Sequence, residues 1–398
     1  MTRPFSDIRE TIFADKEVLS EDYQPDTILE RDDEISAYQD ALKDVLFGRN
    51  PSNVFVYGKT GVGKTAVTQY MLQALQEETA TRDEADDVHV RMYNCNRGSV
   101  YGAVRTLVNS LREDGAEQFP KTGLSTEVAL ESLYDEMDRI GGTFLFVFDE
   151  IDHLSDADSL LYEFPRARSI GHLTNAKVGV IGISNNYRFR DSLSPKVKDT
   201  LMEKEISFSP YDATELRTIL HDRAADAFTE GSCDESAIAK CAALAARDTG
   251  GARQALDLLR TGGDIAESRG DAVVEDDHID AARETVQRGR VTDKIRDQTI
   301  HGQLVLEAVA RLDHAGDTPA RSKEIRERYE MVAENHGHEP LTTLKSVQNH
   351  LSDLKMLGFL SVTEHNVGKR GGSYYTYELT LDAEAVFDAR ETIERERS

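Results

Sequence analysis

A glycine-rich octapeptide near residue 60 has the residue types that bind phosphate. It fits the pattern G-x-x-x-x-G-K-[ST], and its positions are Gly58, Lys59, Thr60, Gly61, Val62, Gly63, Lys64 and Thr65. Glycines let the backbone turn tightly and direct its amides at phosphate oxygens. Lys64 can reach the β- and γ-phosphates of a nucleotide, and the Thr65 hydroxyl can hold Mg²⁺. The octapeptide therefore predicts a site for ATP or ADP with Mg²⁺.

The segments on either side have the patterns that such a loop requires. An apolar run over 54–57 predicts a short buried strand before it, and apolar residues at helical spacing predict a helix over 66–76 after it. The N-terminus of that helix adds partial positive charge to the phosphate site. The alternative is a chance glycine-rich turn between a strand and a helix, but eight matched positions in this context favour phosphate binding.

Two carboxylates end a second apolar run, which spans 144–148 and is typical of a central parallel strand. Downstream of a phosphate loop, we expect Asp149 to hold Mg²⁺ and Glu150 to orient or deprotonate the attacking water. The alternative is a pair of solvent-facing acids at a strand end.

A further apolar run over 178–183 leads to Asn185, whose amide could contact the γ-phosphate, although asparagine also caps turns.

Strands alternating with helices in the first half of the chain predict an α/β fold with a doubly wound parallel sheet. Ligands bind such sheets at the carboxyl ends of the strands, where the phosphate loop, the two acids and Asn185 all fall. From 213 to about 287 the pattern is almost entirely helical. Glycines at 250–251 place Arg253 in the first turn of a helix, from which it could reach the nucleotide. An exposed arginine is, however, more often a solvated charge.

The last hundred residues have the pattern of a winged helix-turn-helix. Three predicted helices precede two predicted strands, and the five segments are 303–312, 322–335, 344–357, 359–362 and 374–379. In such a domain the third helix enters the major groove, and the hairpin tip reaches phosphates or the minor groove. The residues predicted to touch DNA are Lys345, Ser346 and Gln348 on the third helix, with Lys369 and Arg370 in the basic loop. A protein-docking winged helix is the alternative.

The composition limits where this protein works. Its 398 residues carry 73 acidic and 47 basic side chains, a net charge of −26, yet 39% are hydrophobic. A dispersed acidic excess on a folded chain predicts a salt-loving source, because ions screen the self-repulsion. An acidic partner-binding surface is the alternative.

The three cysteines form no CxxC pair, so neither a disulfide framework nor a zinc site is expected. With no membrane span or signal peptide in the pattern, we expect a cytoplasmic protein.

These features resemble the archaeal replication initiators of the origin-recognition and cell-division-control type, which are AAA+ ATPases. The resemblance covers nearly the whole chain, and the segments that carry it are 23–31, the phosphate loop, VFDEID at 147–152, GISNN at 182–186, 208–213, 250–256 and the winged domain. It implies an N-terminal arm and AAA+ nucleotide-binding domain over 1–211. A helical lid over 212–290 and a winged-helix domain over 291–398 complete the implied organisation.

The resemblance also implies roles for individual residues. It makes Asn185 a first sensor and Arg253 a second, both catalytic together with Glu150. The residues that it adds around the nucleotide are Tyr23, Pro25, Arg31, Tyr211 and Arg223. The predicted helix over 160–173 matches an insertion that touches DNA in this family, which implies DNA contacts by Arg166 and Arg168. A helix interrupted by Pro165 could equally be divided between core and surface.

The function implied is that of an initiator that binds double-stranded origin DNA in an ATP-dependent state and helps load the replicative minichromosome maintenance helicase. Slow hydrolysis would act as a switch, and other initiator paralogues on DNA are implied partners in the nucleoid. Two alternatives stay open. Binding confined to promoters would indicate a transcription regulator, and rapid DNA-stimulated hydrolysis would indicate a clamp-loader-like motor.

One departure from the family pattern concerns activation in trans. The family commonly has an arginine after a proline beyond GISNN, whereas this chain has Lys196 after Pro195. Lysine keeps the charge but lacks the bidentate fork, which puts trans activation of a neighbour's hydrolysis in doubt. Arg188 and Arg190 lie nearby in the sequence.

Overall fold

A computed structural model describes residues 12–96, 98–113, 115–201, 203–366 and 373–397 of the chain. Its contacts divide the chain into two compact units, Met1–Ile279 and Asp280–Ser398.

A five-stranded parallel sheet is the centre of the first unit. In chain order its strands are β1 (Val54–Gly58), β2 (Val88–Asn94), β3 (Gly142–Asp149), β4 (Ala176–Ser184) and β5 (Lys204–Phe208). In space the order is β2-β3-β4-β1-β5, and every neighbouring pair is parallel. The predicted doubly wound parallel sheet is therefore confirmed. The register places Asn94 opposite Asp149 and Tyr57 opposite Ser184, so polar strand ends meet at one edge.

Helices cover both faces of this sheet. Their bounds are α1 (Asp32–Leu42), α2 (Lys64–Thr79), α3 (Val100–Leu111), α4 (Thr126–Ile140), α5 (Ala157–Arg166), α6 (Phe189–Ser192) and α7 (Pro195–Leu201). Side chains of β3 alternate between two apolar cores: Phe144 and Phe146 pack with α3, α4 and α5, while Leu145 and Val147 pack with α1 and α2. Burial on both faces explains why this strand is a continuous apolar run.

One helix differs clearly from the length predicted for it. The helix predicted over 160–173 begins earlier, at Ala157, and ends at Arg166, directly after Pro165. Beyond it, Ala167 and Leu173 are buried outside any helix, whereas Ile170 is exposed. Before β1, helix α1 is followed by a 3₁₀ turn over Lys43–Phe47, which ends at Gly48 in the left-handed conformation.

A helical segment follows β5. It contains α8 (Ala213–Ala227), α9 (Glu235–Asp248), α10 (Ala252–Arg269) and α11 (Asp276–Arg296), the last of which runs across the division between the units. A capping box starts α8: Asp212 accepts the Glu215 backbone N–H at 2.9 Å, and Glu215 accepts that of Asp212 at 2.7 Å. Between α9 and α10, Gly250 has φ of 66° and packs so closely on Pro210 that a Cβ would lie 2.5 Å from the proline Cβ.

The second unit is a winged helix-turn-helix, as predicted. Its elements are α12 (Ile300–His314), β6 (Ala320–Arg321), α13 (Ser322–Asn335), α14 (Leu344–Met356), β7 (Leu360–Asn366), β8 (Ser373–Leu379) and α15 (Ala383–Arg397). The strands form an antiparallel sheet in the order β6-β8-β7. Helix α14 turns Val347, Leu351 and Leu354 into the core. The short strand β6 and the helix α15 were not predicted.

Candidate nucleotide-binding site

The phosphate loop between β1 and α2 adopts a conformation that exposes backbone amides. Gly61 and Gly63 have φ of 82° and 90°, a region that side chains with a Cβ avoid. Helix α2 starts immediately afterwards at Lys64, and no side chain in the described part of the chain caps its first amides. Uncapped amides at a helix N-terminus form an anion-binding site, because they point outward and carry partial positive charge.

Lys64 crosses from the loop to the end of β4. Its side chain is 6% exposed, and its Nζ donates to Gly58 O at 2.9 Å, to Lys59 O at 2.8 Å and to Asn185 Oδ1 at 2.7 Å. Burial lowers the pKa of the Lys64 ammonium group to about 8, although nearby Asp149 opposes the shift. The structure thus brings together a buried cation and an amide that are 121 positions apart in the chain.

A hydroxyl and two carboxylates lie on the other side of the loop. The Thr65 hydroxyl donates to Asp149 Oδ2 at 2.8 Å, and Asp149 Oδ1 accepts the Glu150 backbone N–H at 2.9 Å. A hydroxyl and a carboxylate are the hard oxygen ligands that Mg²⁺ takes in nucleotide sites, so this pair fits the ion. Glu150 has φ of 53°, an unusual conformation for a residue with a Cβ, and strain of this kind clusters at functional sites.

A cavity of about 450 Å³ connects these groups. The predicted site residues that line it are Tyr23, Pro25, Thr60, Gly61, Gly63, Lys64, Thr65, Asp149, Glu150, Asn185, Tyr211, Arg223 and Arg253. Four further predicted residues are described but are not part of this lining: Arg31, Gly58, Lys59 and Val62. Gly58 and Lys59 accept hydrogen bonds from Lys64, and the Val62 carbonyl accepts one from Arg31, so these residues support the loop.

The N-terminal arm and the helical segment close two sides of the cavity. The Arg223 guanidinium lies 4.6 Å from the centre of the Tyr23 ring, and Gln24 Nε2 donates to Ala66 O at 3.1 Å. Arg253 lies in the first turn of α10, where its backbone N–H donates to Gly61 O at 3.4 Å. Its side chain is half-exposed and pairs with Glu21, with 3.2 Å between Nε and Oε1. A residue of the helical segment therefore touches the phosphate loop.

Asn94 is a cavity residue that sequence reasoning missed. It ends β2 directly opposite Asp149 and lines the cavity. Its signal was present, because it is a polar residue at the carboxyl end of a predicted strand, as Asn185 is. Gln24 was likewise passed over, although it lies between the predicted Tyr23 and Pro25.

Three family models match successive parts of the chain. An AAA ATPase domain matches residues 27–174, a Cdc6 AAA+ ATPase-type lid domain matches 217–284, and a CDC6 C-terminal winged helix domain matches 293–389. The chain is also 50% identical to ORC1-type DNA replication protein 8 of Halobacterium salinarum, over 98% of both chains. This chain belongs to the ORC1-type DNA replication protein family. Its AAA ATPase domain makes it an ATPase, as predicted.

Other members of the ORC1-type family support this assignment. ORC1-type DNA replication protein 15 of Haloarcula marismortui is 47% identical over 96% of this chain and 93% of its own. Both organisms are haloarchaea, in agreement with the predicted salt-loving source. The structure of the Aeropyrum pernix ORC1 protein in complex with DNA matches with a TM-score of 0.82 and 36% identity, over 96% of this chain and 97% of that chain. The AAA+ fold with helical lid and winged helix is thus confirmed.

Three of the five residues predicted to touch DNA in the winged-helix unit lie in the first turns of α14. Lys345 is exposed, whereas Ser346 and Gln348 are half-buried. The hydroxyls of Thr343 and Ser346 lie 2.8 Å apart, so Ser346 also takes part in capping the helix. Lys369 and Arg370 lie outside the described residues. No helix in the described ranges is long and apolar enough to cross a lipid bilayer.

In the first unit, a cluster of cations surrounds Tyr162 on α5. The Arg166 guanidinium lies 4.4 Å from the ring centre and also contacts the hydroxyl, and Lys196 Nζ lies 3.6 Å from the ring centre. Arg168 is exposed in the turn after α5. Arg190, which lies near Lys196 in the sequence, forms an ion pair with the buried carboxylate of Glu203. Lys196 thus contacts the same tyrosine ring as Arg166, one of the two residues of this unit predicted to touch DNA.

Proposed function

We propose that this chain is an ATP-dependent initiator of DNA replication, which binds double-stranded origin DNA and helps recruit or load the replicative minichromosome maintenance helicase. The observation that carries the proposal is the convergence of Lys64, Thr65, Asp149 and Asn185 on one cavity, in a chain that also ends in a winged helix. The Aeropyrum pernix relative was solved in complex with DNA, which supports DNA binding here.

ATP with Mg²⁺ is the proposed ligand of the cavity. Mg²⁺, when bound, neutralises developing charge on the phosphate oxygens. The Thr65 hydroxyl and the Asp149 carboxylate hold the ion, and Lys64 exchanges its carbonyl acceptors for phosphate oxygens. Glu150 orients or deprotonates the attacking water, and Asn185 contacts the γ-phosphate. These roles use side chains that already line one cavity.

Slow hydrolysis serves as a switch in this proposal. Arg253 lies at the start of α10, its backbone N–H donates to Gly61 O and it lines the cavity, which supports a role of its guanidinium in sensing a γ-phosphate. ATP and ADP differ in that phosphate, and a ligand shifts a conformation only through such differential contacts. Contact with Arg253 in the ATP state therefore changes the position of the lid, for which we propose the bounds 212–290.

DNA is proposed to contact two sets of residues. On α14, within a winged-helix domain that we place at 291–398, Lys345, Ser346 and Gln348 read base edges. Lys369 and Arg370, which lie between β7 and β8 in the sequence, contact phosphates. Arg166 and Arg168 in the first unit add phosphate contacts, in a protein whose net charge of −26 otherwise repels the duplex. Other initiator paralogues bound to the same DNA are proposed neighbours in the nucleoid.

Genome-wide mapping of the protein in its own cells tests this function. The expected result is binding concentrated at replication origins, which depends on Lys64 because a Lys64→Ala variant loses the cation that pairs with the phosphates. Binding confined to promoters would favour a transcription regulator. In purified protein, fast hydrolysis stimulated by any DNA would favour a motor over a switch.

A further inference from the structure

Arg31 is a buried cation held by three separate parts of the first unit. It immediately precedes α1 and is 3% exposed. Its Nη2 donates to Val62 O in the phosphate loop at 3.0 Å and to Ser209 O after β5 at 2.9 Å, and its Nη1 pairs with Glu34 of α1 at 3.2 Å. A buried guanidinium is stable only with such partners, so the position of Arg31 fixes the distances among these segments.

The same guanidinium stacks on Tyr211, the last residue before the capping box of α8. Its central carbon lies 3.5 Å from the centre of the Tyr211 ring. The far end of the ring reaches the phosphate loop, since a Cβ built on Gly63 would lie 3.3 Å from the tyrosine hydroxyl oxygen. Tyr211 therefore lies between the cavity, which it lines, and Arg31, which lies behind Tyr211 on the side away from the cavity. We call this pair the back wall of the loop.

The backbone of Tyr211 continues this wall to the start of α10. Its N–H donates to Gly250 O at 2.8 Å. Three residues later, the Arg253 N–H donates to Gly61 O at 3.4 Å. The contacts form a closed circuit from the phosphate loop through Arg31 and Tyr211 to the first turn of α10, and back to the loop. The phosphate loop is thus connected to the start of α10 by two routes, one direct and one through Arg31 and Tyr211.

We propose that Arg31 is a positioning residue that couples the phosphate loop to α10 through Tyr211. The coupling rests on the proposed ATP switch and deepens it, because it assigns the connection between the nucleotide and the lid to a side chain behind the cavity wall. The role requires arginine: the planar fork serves Val62, Ser209 and Glu34 while its face stacks on Tyr211. A lysine ammonium keeps the charge but neither the fork nor the stacking surface.

The test compares Arg31→Lys with a matched control, Arg49→Lys. Arg49 is exposed, pairs with Asp44 at 3.3 Å and lies 5.6 Å from the centre of the Phe47 ring, so the same substitution there removes an exposed ion pair and a ring contact ahead of β1, at the end of that strand opposite the phosphate loop. Affinity for ATP and for ADP is measured by titration, and the protection of the lid from protease is measured with each nucleotide. A thermal melt of the protein alone reports stability.

For Arg31→Lys we expect ATP affinity to fall about tenfold, as for the loss of one charge-assisted hydrogen bond, and the difference in lid protection between ATP and ADP to disappear. Arg49→Lys should match the parent in both. Tyr211→Leu should reproduce the Arg31→Lys result, and the double variant should be no worse than either single variant, because both act through one contact.

The inference is overturned if Arg31→Lys melts at a lower temperature yet keeps the parental ATP affinity and the parental difference between ATP and ADP. If Arg31→Lys does not fold, Tyr211→Leu decides the question with the same two measurements. A parent that binds no ATP would refute the proposed function itself. That outcome is distinct from a parent that binds ATP and an Arg31 variant that behaves identically.

Discussion

The affinity for ATP should depend on pH through Lys64. Burial lowers the pKa of its ammonium group to about 8 in the protein alone, so the group loses its proton as the pH rises through that value. Only the protonated form can pair with phosphates. A bound triphosphate surrounds the ammonium with negative charge, which raises its pKa again because opposite charges favour the charged form. Binding above pH 8 must therefore take up a proton.

The size of the effect follows from that pKa. At about pH 7.5 roughly three-quarters of the free protein carries a protonated Lys64, and at about pH 9 roughly one-eleventh does. If the bound form stays protonated over this range, the affinity for ATP falls by about eightfold between the two pH values. Uptake at about pH 8.5 should be roughly 0.8 proton per ATP bound. The γ-phosphate of ATP is already ionised there and adds little.

Two measurements check this linkage at constant, high salt. Titration with a fluorescent ATP analogue gives the affinity at each pH, and calorimetry in buffers of different ionisation heat gives the number of protons taken up. Lys64→Arg is the control, since a guanidinium stays charged throughout the range and should give a weaker but flat profile. A parent that shows neither proton uptake nor a loss of affinity would refute the reasoning that a buried, partly deprotonated Lys64 pairs with the phosphates.

Three further outcomes are expected. Glu150→Gln should bind ATP like the parent but hydrolyse it about 10²–10⁴ times more slowly in a single-turnover assay of phosphate release. The reason is that the water loses its base while Asp149 keeps Mg²⁺. Parental turnover would remove Glu150 from the catalytic role. Arg253→Ala breaks only an exposed ion pair, so the free energy of unfolding should change by less than about 1 kcal/mol. The protection of the lid from protease should differ less between ATP and ADP than in the parent. An undiminished difference between ATP and ADP would contradict the sensor role. Replacing both Lys369 and Arg370 by Ala should weaken binding to origin-like and random duplexes alike. The slope of log affinity against log salt concentration should shrink by roughly one unit per lost phosphate contact. An unchanged affinity and slope would favour a protein-docking winged helix.

Local patterns in the sequence were sufficient for most of the fold. The inner strands β1 and β3 are continuous apolar runs because both of their faces are buried, and this makes them visible without knowledge of their neighbours. Helix α15 was not predicted, because only a narrow part of its surface is apolar. Its apolar stripe, formed by Val386, Ala389 and Ile393, is thin and surrounded by charges, and one of those charges, Arg390, is itself buried against Glu307. The pairing of a charge with a partner 83 positions away leaves no local pattern.

The sequence by itself determined the chemistry available to this protein: a phosphate loop with a lysine and a hydroxyl, acids and an amide at strand ends, and a winged helix at the end of the chain. Each of these depends on residue types at short, fixed spacings. Only the tertiary structure decided which of them meet, that Lys64 reaches Asn185 and that Arg31 lies behind the cavity wall on Tyr211. Such contacts depend on strand order and on packing between residues far apart in the chain, which spacing along the sequence does not encode.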